Sequence, residues 1–213
     1  MGAVFSTSNV LMKLALRFWG DWQVEGRENV PQDGPLIVVS NHLSNLDPPM
    51  LAASIPRRLY FMAKRGIFHD PLVSAFLKSW GAFPLNRDGA DISAIRWSLQ
   101  TLERGGGLAI FPEGTRSPKG IKNPIPGVAL IARKSGAPIL PVGITGTESV
   151  GAPWQIAFPR GKFKVNIGSP FTVGKDSGSK PSRDDLEATT NDIMERVASL
   201  LPKNYRGIYP LVS

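Results

Sequence analysis

Leu36-Ile37-Val38-Val39-Ser40-Asn41-His42-Leu43-Ser44-Asn45-Leu46-Asp47-Pro48-Pro49 is the stretch on which the reading of this chain turns. Four consecutive apolar residues, three of them β-branched, predict a strand buried on both faces. The run stops at Ser40-Asn41-His42, and Asp47 follows His42 by five positions. Were the whole span helical, that spacing would separate the two by roughly 7.5 Å of rise and about 140° of rotation. They meet only if the chain turns through Leu43-Ser44-Asn45 and a helix starts near Asp47. Asp47 suits an N-cap and Pro48 a first helical position. Two readings therefore stand. Asp47 is a helix cap beside a strand-end histidine, or the pair is a base and its orienting carboxylate, as acyl transfer requires.

Outward from this stretch, apolar runs alternate with helical periodicities. Strands are expected at Trp22–Glu25, Leu36–Val39, Leu59–Ala63, Ala82–Leu85, Leu108–Phe111, Pro138–Ile144 and Phe163–Ile167. Helices are expected at Asp47–Ser54, from Asp70-Pro71 onward, at Asp91–Arg104, Gly127–Lys134 and Ser182–Leu201. The helix from Asp70-Pro71 carries Leu72, Val73, Phe76, Leu77 and Trp80 on one face, and that at Asp91–Arg104 carries Ile92, Ile95, Leu99 and Leu102. The pattern predicts a single-domain α/β sandwich with a largely parallel central sheet, open to mixed pairing, and flanking helices. In such sheets ligands sit beyond the carboxyl ends of the strands. Those ends carry Ser40-Asn41-His42, Lys64-Arg65, Asn86-Arg87, Pro112-Glu113-Gly114-Thr115-Arg116-Ser117 and Thr145-Gly146-Thr147.

Composition narrows the partners. The 213 residues are 42% hydrophobic and 20% charged, with a formal net charge of +8. Such a chain attracts anions, and without a basic run or a nucleic-acid motif the expected anions are phosphate-bearing lipids or metabolites. No cysteine is present, which excludes a thiolate nucleophile, a disulfide framework and a cysteine metal site. The two histidines, His42 and His69, have no partner at zinc-ligand spacing, so no metal is expected. No 18-residue apolar window predicts a spanning helix, and Met1–Gly20 does not read as a signal peptide. Val10, Leu11, Leu14, Ala15 and Phe18 follow helical spacing beside Lys13, Arg17 and Trp19. That suits a helix lying in a bilayer surface and equally one packed on the core. Residues 1–24 are accordingly set apart from a domain at 25–213. Met1-Gly2-Ala3-Val4-Phe5-Ser6 also matches the short myristoylation pattern.

Phe111-Pro112-Glu113-Gly114-Thr115-Arg116-Ser117 is the second informative stretch. Gly114 lets the backbone approach a ligand, and Arg116 offers a planar fork for phosphate. Taken alone it also reads as a turn whose Glu and Arg pair in water. Asn41-His42-Leu43-Ser44-Asn45-Leu46-Asp47 resembles the histidine-four-residues-aspartate signature of the glycerolipid acyltransferases, the family that includes the 1-acylglycerol-3-phosphate acyltransferases. The Phe111–Ser117 stretch is similar to that family's phosphate-binding block. Gly81-Ala82-Phe83-Pro84-Leu85-Asn86-Arg87 resembles the block between them, and Ala137-Pro138-Ile139-Leu140-Pro141-Val142 the final proline-containing strand. Four blocks in the family's order span Leu36 to Ile144.

The resemblance implies that His42 deprotonates an acceptor hydroxyl while Asp47 orients it. It implies that Arg87, Glu113, Gly114, Thr115 and Arg116 hold the acceptor's phosphate end, with Lys64, Asn41 and Ser44 assisting. It further implies an acyl-CoA or acyl carrier protein donor, a lysophospholipid acceptor, no other cofactor, and a peripheral site on the cytoplasmic face of an anionic membrane. The expected activity is acylation of lysophosphatidic acid. Its alternatives are the same chemistry on a lysophospholipid, glycerol-3-phosphate or an aminolipid, a non-catalytic membrane lipid-binding protein, and, from charge alone, a nucleic-acid module. One departure stands out: Pro124-Ile125-Pro126-Gly127 occupies the place of the family's Phe-Lys-x-Gly segment, with Lys122 upstream.

Overall fold

The computed structural model describes residues 2–86, 89, 91–174 and 181–210. Seven strands form one sheet: β1 (Gly20–Glu25), β2 (Leu36–Ser40), β3 (Leu59–Lys64), β4 (Ala82–Leu85), β5 (Gly107–Ile110), β6 (Ile139–Thr145) and β7 (Gly161–Ile167). Their spatial order is β1-β7-β6-β2-β5-β3-β4. Strands β6, β2, β5, β3 and β4 run parallel to one another. At the other edge β7 is antiparallel to β6 and parallel to β1. The sheet is thus mixed but mostly parallel, and five carboxyl ends share one edge.

The helices are α1 (Ala3–Trp19), α2 (Asp47–Ser54), α3 (Pro71–Trp80), α4 (Ile92–Glu103), α5 (Gly127–Ser135), α6 (Pro153–Ala157) and α7 (Arg183–Ser199). Side-chain alternation along β2 shows why its sequence is apolar throughout. Leu36 and Val38 join the core beneath α1 and α2, with Phe5, Leu16, Met50 and Leu51. Ile37 and Val39 join the opposite core, with Leu102, Val128, Ile131, Ile193 and Val197 of α4, α5 and α7. A strand covered on both faces cannot alternate apolar with polar.

Two helices leave part of their apolar face uncovered. In α3 only Trp80 of the apolar face is buried, stacked on Phe61 with ring centroids 4.7 Å apart. Leu72 is 83% exposed, and Val73 and Phe76 are also exposed. The helix lies at the end of the sheet beside β4 and α1, so nothing in the described fold covers its outer side. In α4, Ile92 is likewise exposed, while Leu102 lies deep. Helix α1 has a dual character. Phe5, Ala15 and Leu16 are buried, and Asn9 donates to the Ala52 carbonyl of α2. Val10, Leu11, Leu14 and Phe18 remain exposed.

Candidate active site

The central position of β2 sets the site. Its carboxyl end lies between those of β6 and β5, so His42 emerges with the loops after both neighbours at its sides. Asn41 anchors the exit. Its amide donates to the Ile144 carbonyl and its carbonyl accepts from the Ile144 N–H, pinning β2 to β6 with both side-chain ends used. Its assistance is therefore that of a buried brace.

The turn after His42 is built on Asp47. Asp47 is the first residue of α2 rather than its N-cap, and it is wholly buried. Its Oδ2 accepts from the Leu43 and Ser44 N–H groups at 2.6 and 2.8 Å and meets His42 Nδ1 at 2.8 Å. One carboxylate oxygen thus closes the loop and holds the ring. A carboxylate can only accept, so Nδ1 carries a proton, and in the neutral imidazole Nε2 keeps its lone pair. Ser44 Oγ accepts from the Leu46 N–H, holding the same turn. The His42 side chain is 15% exposed, and Phe111 stacks on it at 4.4 Å between centroids.

Glu113 reaches the site from the loop after β5. Its Oε1 accepts from the His42 N–H at 2.8 Å and its Oε2 from the Lys122 N–H at 3.0 Å. Burial pushes its carboxyl above the usual range, against the pull of those two N–H groups and of nearby His42. The Ser117 N–H returns a bond to the His42 carbonyl at 2.6 Å, so the histidine's backbone is clamped on both sides by one loop. Gly114 supplies the bend with φ +63°, and a Cβ there would come within 2.7 Å of Ile125. This turn requires glycine.

The remaining members of the block are open to ligand. Thr115 and Arg116 are exposed and line a cleft of about 300 Å³ with Leu43, Ser44, Pro118 and Glu148. Lys64 ends β3 on the same edge of the sheet, exposed, with β5 lying between β3 and β2. Arg87 lies outside the described residues. Sequence reasoning set Phe111 and Thr147 at strand ends without giving either a part at His42 and Asp47. The stack of Phe111 on His42 is not legible from its place in the block. Thr147, after β6, donates its hydroxyl to Asp47 Oδ1 across 100 positions of sequence, and no local pattern marks it. Among the described residues no cluster of three or more metal-ligating side chains occurs.

Comparison with known proteins places this geometry. Residues 21–145 match a family model described as Acyltransferase, a span that includes His42, Asp47 and the Phe111–Ser117 block. A 1-acyl-sn-glycerol-3-phosphate acyltransferase of Bacillus subtilis (strain 168) is 30% identical over 191 residues, covering 89% of this chain and 92% of that protein. One from Streptococcus pneumoniae is 29% identical, covering 88% of this chain and 68% of that protein. The crystal structure of the 1-acyl-sn-glycerophosphate (LPA) acyltransferase PlsC from Thermotoga maritima superposes with a TM-score of 0.71 at 28% identity, covering 92% of this chain and 79% of that one. With the family model spanning more than half of its length, this chain belongs to the acyltransferase family.

Proposed function

We propose that this acyltransferase moves a fatty acyl group from an acyl thioester to the free hydroxyl of lysophosphatidic acid, giving phosphatidic acid and a free thiol. The observation that carries the reading is the His42–Asp47 pair, 2.8 Å apart, at the head of a turn whose next residues line a cleft shared with Thr115 and Arg116. The names of the relatives favour the same acceptor.

In this mechanism His42 Nε2 takes the proton of the acceptor hydroxyl as its oxygen attacks the thioester carbonyl. The tetrahedral intermediate then expels the thiolate, which recovers the proton from the imidazolium. No acyl-enzyme forms, in keeping with a chain that has no cysteine and no serine in a nucleophile elbow. Asp47 stabilises the imidazolium between the two steps. Arg116 and Thr115, with Arg87 and Lys64, hold the acceptor phosphate, and fixing two substrates against the base supplies much of the acceleration. Acyl-CoA and acyl carrier protein are both polyanionic donors suited to a chain of net charge +8.

A bilayer is the natural source of such an acceptor. No described helix is long and apolar enough to cross one. Instead α1 and α3, which pack together, turn Leu11, Phe18, Leu72 and Phe76 outward among the exposed cations Lys13, Arg17 and Lys78. Apolar side chains among cations match an anionic lipid surface, and we assign peripheral attachment at the cytoplasmic face to these two helices.

Thiol release from acyl-CoA, with and without lysophosphatidic acid, tests the proposal, with the lipid product identified by mass spectrometry. Wild type should release thiol only with acceptor, and His42→Ala should lose roughly 10²- to 10⁴-fold of the rate while keeping its fold. Activity surviving in His42→Ala removes the general base. Turnover on lysophosphatidylcholine or glycerol-3-phosphate in preference to lysophosphatidic acid reassigns the acceptor.

A further inference from the structure

We infer that Thr147 is a positioning residue for this reaction, setting through Asp47 both the aim and the basicity of His42. The inference rests on His42 acting as the base. Asp47 divides its oxygens between two duties. Oδ2 receives the turn's two N–H groups and the His42 ring. Oδ1 receives the hydroxyl of Thr147. A carboxylate fixed through one oxygen alone can still swing about its Cβ–Cγ bond, whereas a donor on the second oxygen locks that rotation and hence the direction offered to Nδ1.

The backbone shows why Thr147 is a rigid donor. Gly146 precedes it at φ +88°, and a Cβ there would stand 1.9 Å from the Lys162 carbonyl oxygen of β7. The turn Thr147–Ser149 is therefore pressed against β7, and the Val150 N–H closes it on the Thr147 carbonyl at 2.9 Å. Thr147 itself has no exposed surface. Its hydroxyl is delivered to the carboxylate by a main chain that has little freedom to retreat.

The charges around His42 fix the sign of the electrostatic effect. Among the described residues the carboxylates that meet it are Asp47, from the start of α2, and Glu113, from the loop after β5. Phe111 stacks on the ring and carries no charge. Thr147 withdraws part of the negative charge of Asp47 by donating to it. Removing the hydroxyl leaves that charge more fully directed at His42, favours the imidazolium and raises the pH below which the base is protonated.

The test compares Thr147→Val, Thr147→Ser and His42→Ala with wild type, measuring kcat, acceptor KM, the pH dependence of kcat and the melting temperature. Thr147→Val, nearly isosteric, should lower kcat about tenfold, the weight of one hydrogen bond to a charged group. Its acidic limb should move to higher pH with acceptor KM unchanged, and Thr147→Ser should restore both. A merely structural threonine would lower the melting temperature and leave the pH profile of the folded fraction where it was. Wild-type kcat and pH profile in Thr147→Val overturn the inference, as does a serine variant no better than the valine one. If Thr147→Val does not fold, Thr147→Ala against Thr147→Ser makes the same comparison of hydroxyl present and absent. Activity surviving in His42→Ala defeats the general-base reading, whereas an inactive His42→Ala beside an unaffected Thr147→Val defeats only the role of Thr147.

Discussion

Glu113 shows how a single side chain can hold the backbone of the residue proposed as the base. Both its oxygens are occupied by backbone N–H groups, one of them belonging to His42. Glutamine offers only one acceptor and turns an NH₂ group toward the second N–H, so a donor faces a donor. Glu113→Gln should therefore destabilise the fold by about 1–3 kcal/mol, the cost of an unsatisfied buried group. Thermal melts at neutral pH check the size of the loss. The pH slope has a definite sign as well. Burial raises the Glu113 carboxyl, so the folded protein holds that proton more tightly than the unfolded chain does. This group's contribution to stability thus falls as pH climbs through the carboxylate range, and Glu113→Gln should remove that component. The sequence displayed Glu113 beside Arg116 and suggested a shared ligand, because adjacency in a loop is visible and the direction of a side chain is not. His42 and Asp47 were legible because the turn that joins them is local. Thr147 was not, because its partner stands 100 positions away.

Helices α1 and α3 carry apolar side chains that the described fold leaves exposed. Strand positions were readable because parallel strands covered on both faces demand continuous apolar runs, as in Leu36–Val39. Helical periodicity, by contrast, reveals that a face is apolar without saying what covers it. In α3 that face is left to solvent apart from Trp80 and the half-buried Leu77. In α1, Val10, Leu11, Leu14 and Phe18 of the periodic set are exposed and Ala15 of the same set is buried, as is Leu16 outside it. Replacing Leu11 and Phe18 by serine should leave the melting temperature nearly unchanged, since both side chains are largely exposed, Leu11 at 61% and Phe18 at 72%. The same change should weaken binding to vesicles containing phosphatidylglycerol, with about 1.5–3 kcal/mol of burial lost per side chain fully inserted. Turnover on vesicle-borne acceptor should fall, and turnover on a short-chain, water-soluble acceptor should persist. Unaltered sedimentation with vesicles would detach this face from the membrane.

At the scale of the whole molecule, the segment after α7 ties the loops around the candidate site to the far core. The Ile121 N–H donates to the Tyr205 carbonyl and the Ile208 N–H to the Ile121 carbonyl, both at 3.2 Å, so the tail pairs with the loop that carries Lys122. Tyr205 donates its hydroxyl to Glu148 in the wall of the cleft at 2.7 Å. Tyr209 is buried beside α7 and donates to Asn191 Oδ1 at 2.8 Å. Burial first, then Glu195 and Glu113, push the Tyr209 phenol up to about 12. Tyr205 is raised too, by burial and by its bond to Glu148. In the unfolded chain both phenols ionise near 10. The native state therefore holds these protons over a range in which the unfolded state has released them, and stability must fall as pH rises above about 10. Tyr209→Phe keeps the packed ring, loses the bond to Asn191 and contributes no titration. It should be less stable than wild type at pH 8 by about 1 kcal/mol, with a shallower decline between about pH 10 and 12. Parallel melting curves over that interval check the difference in slope, and identical slopes would mean that Tyr209 does not hold the tail against the loop in its neutral form.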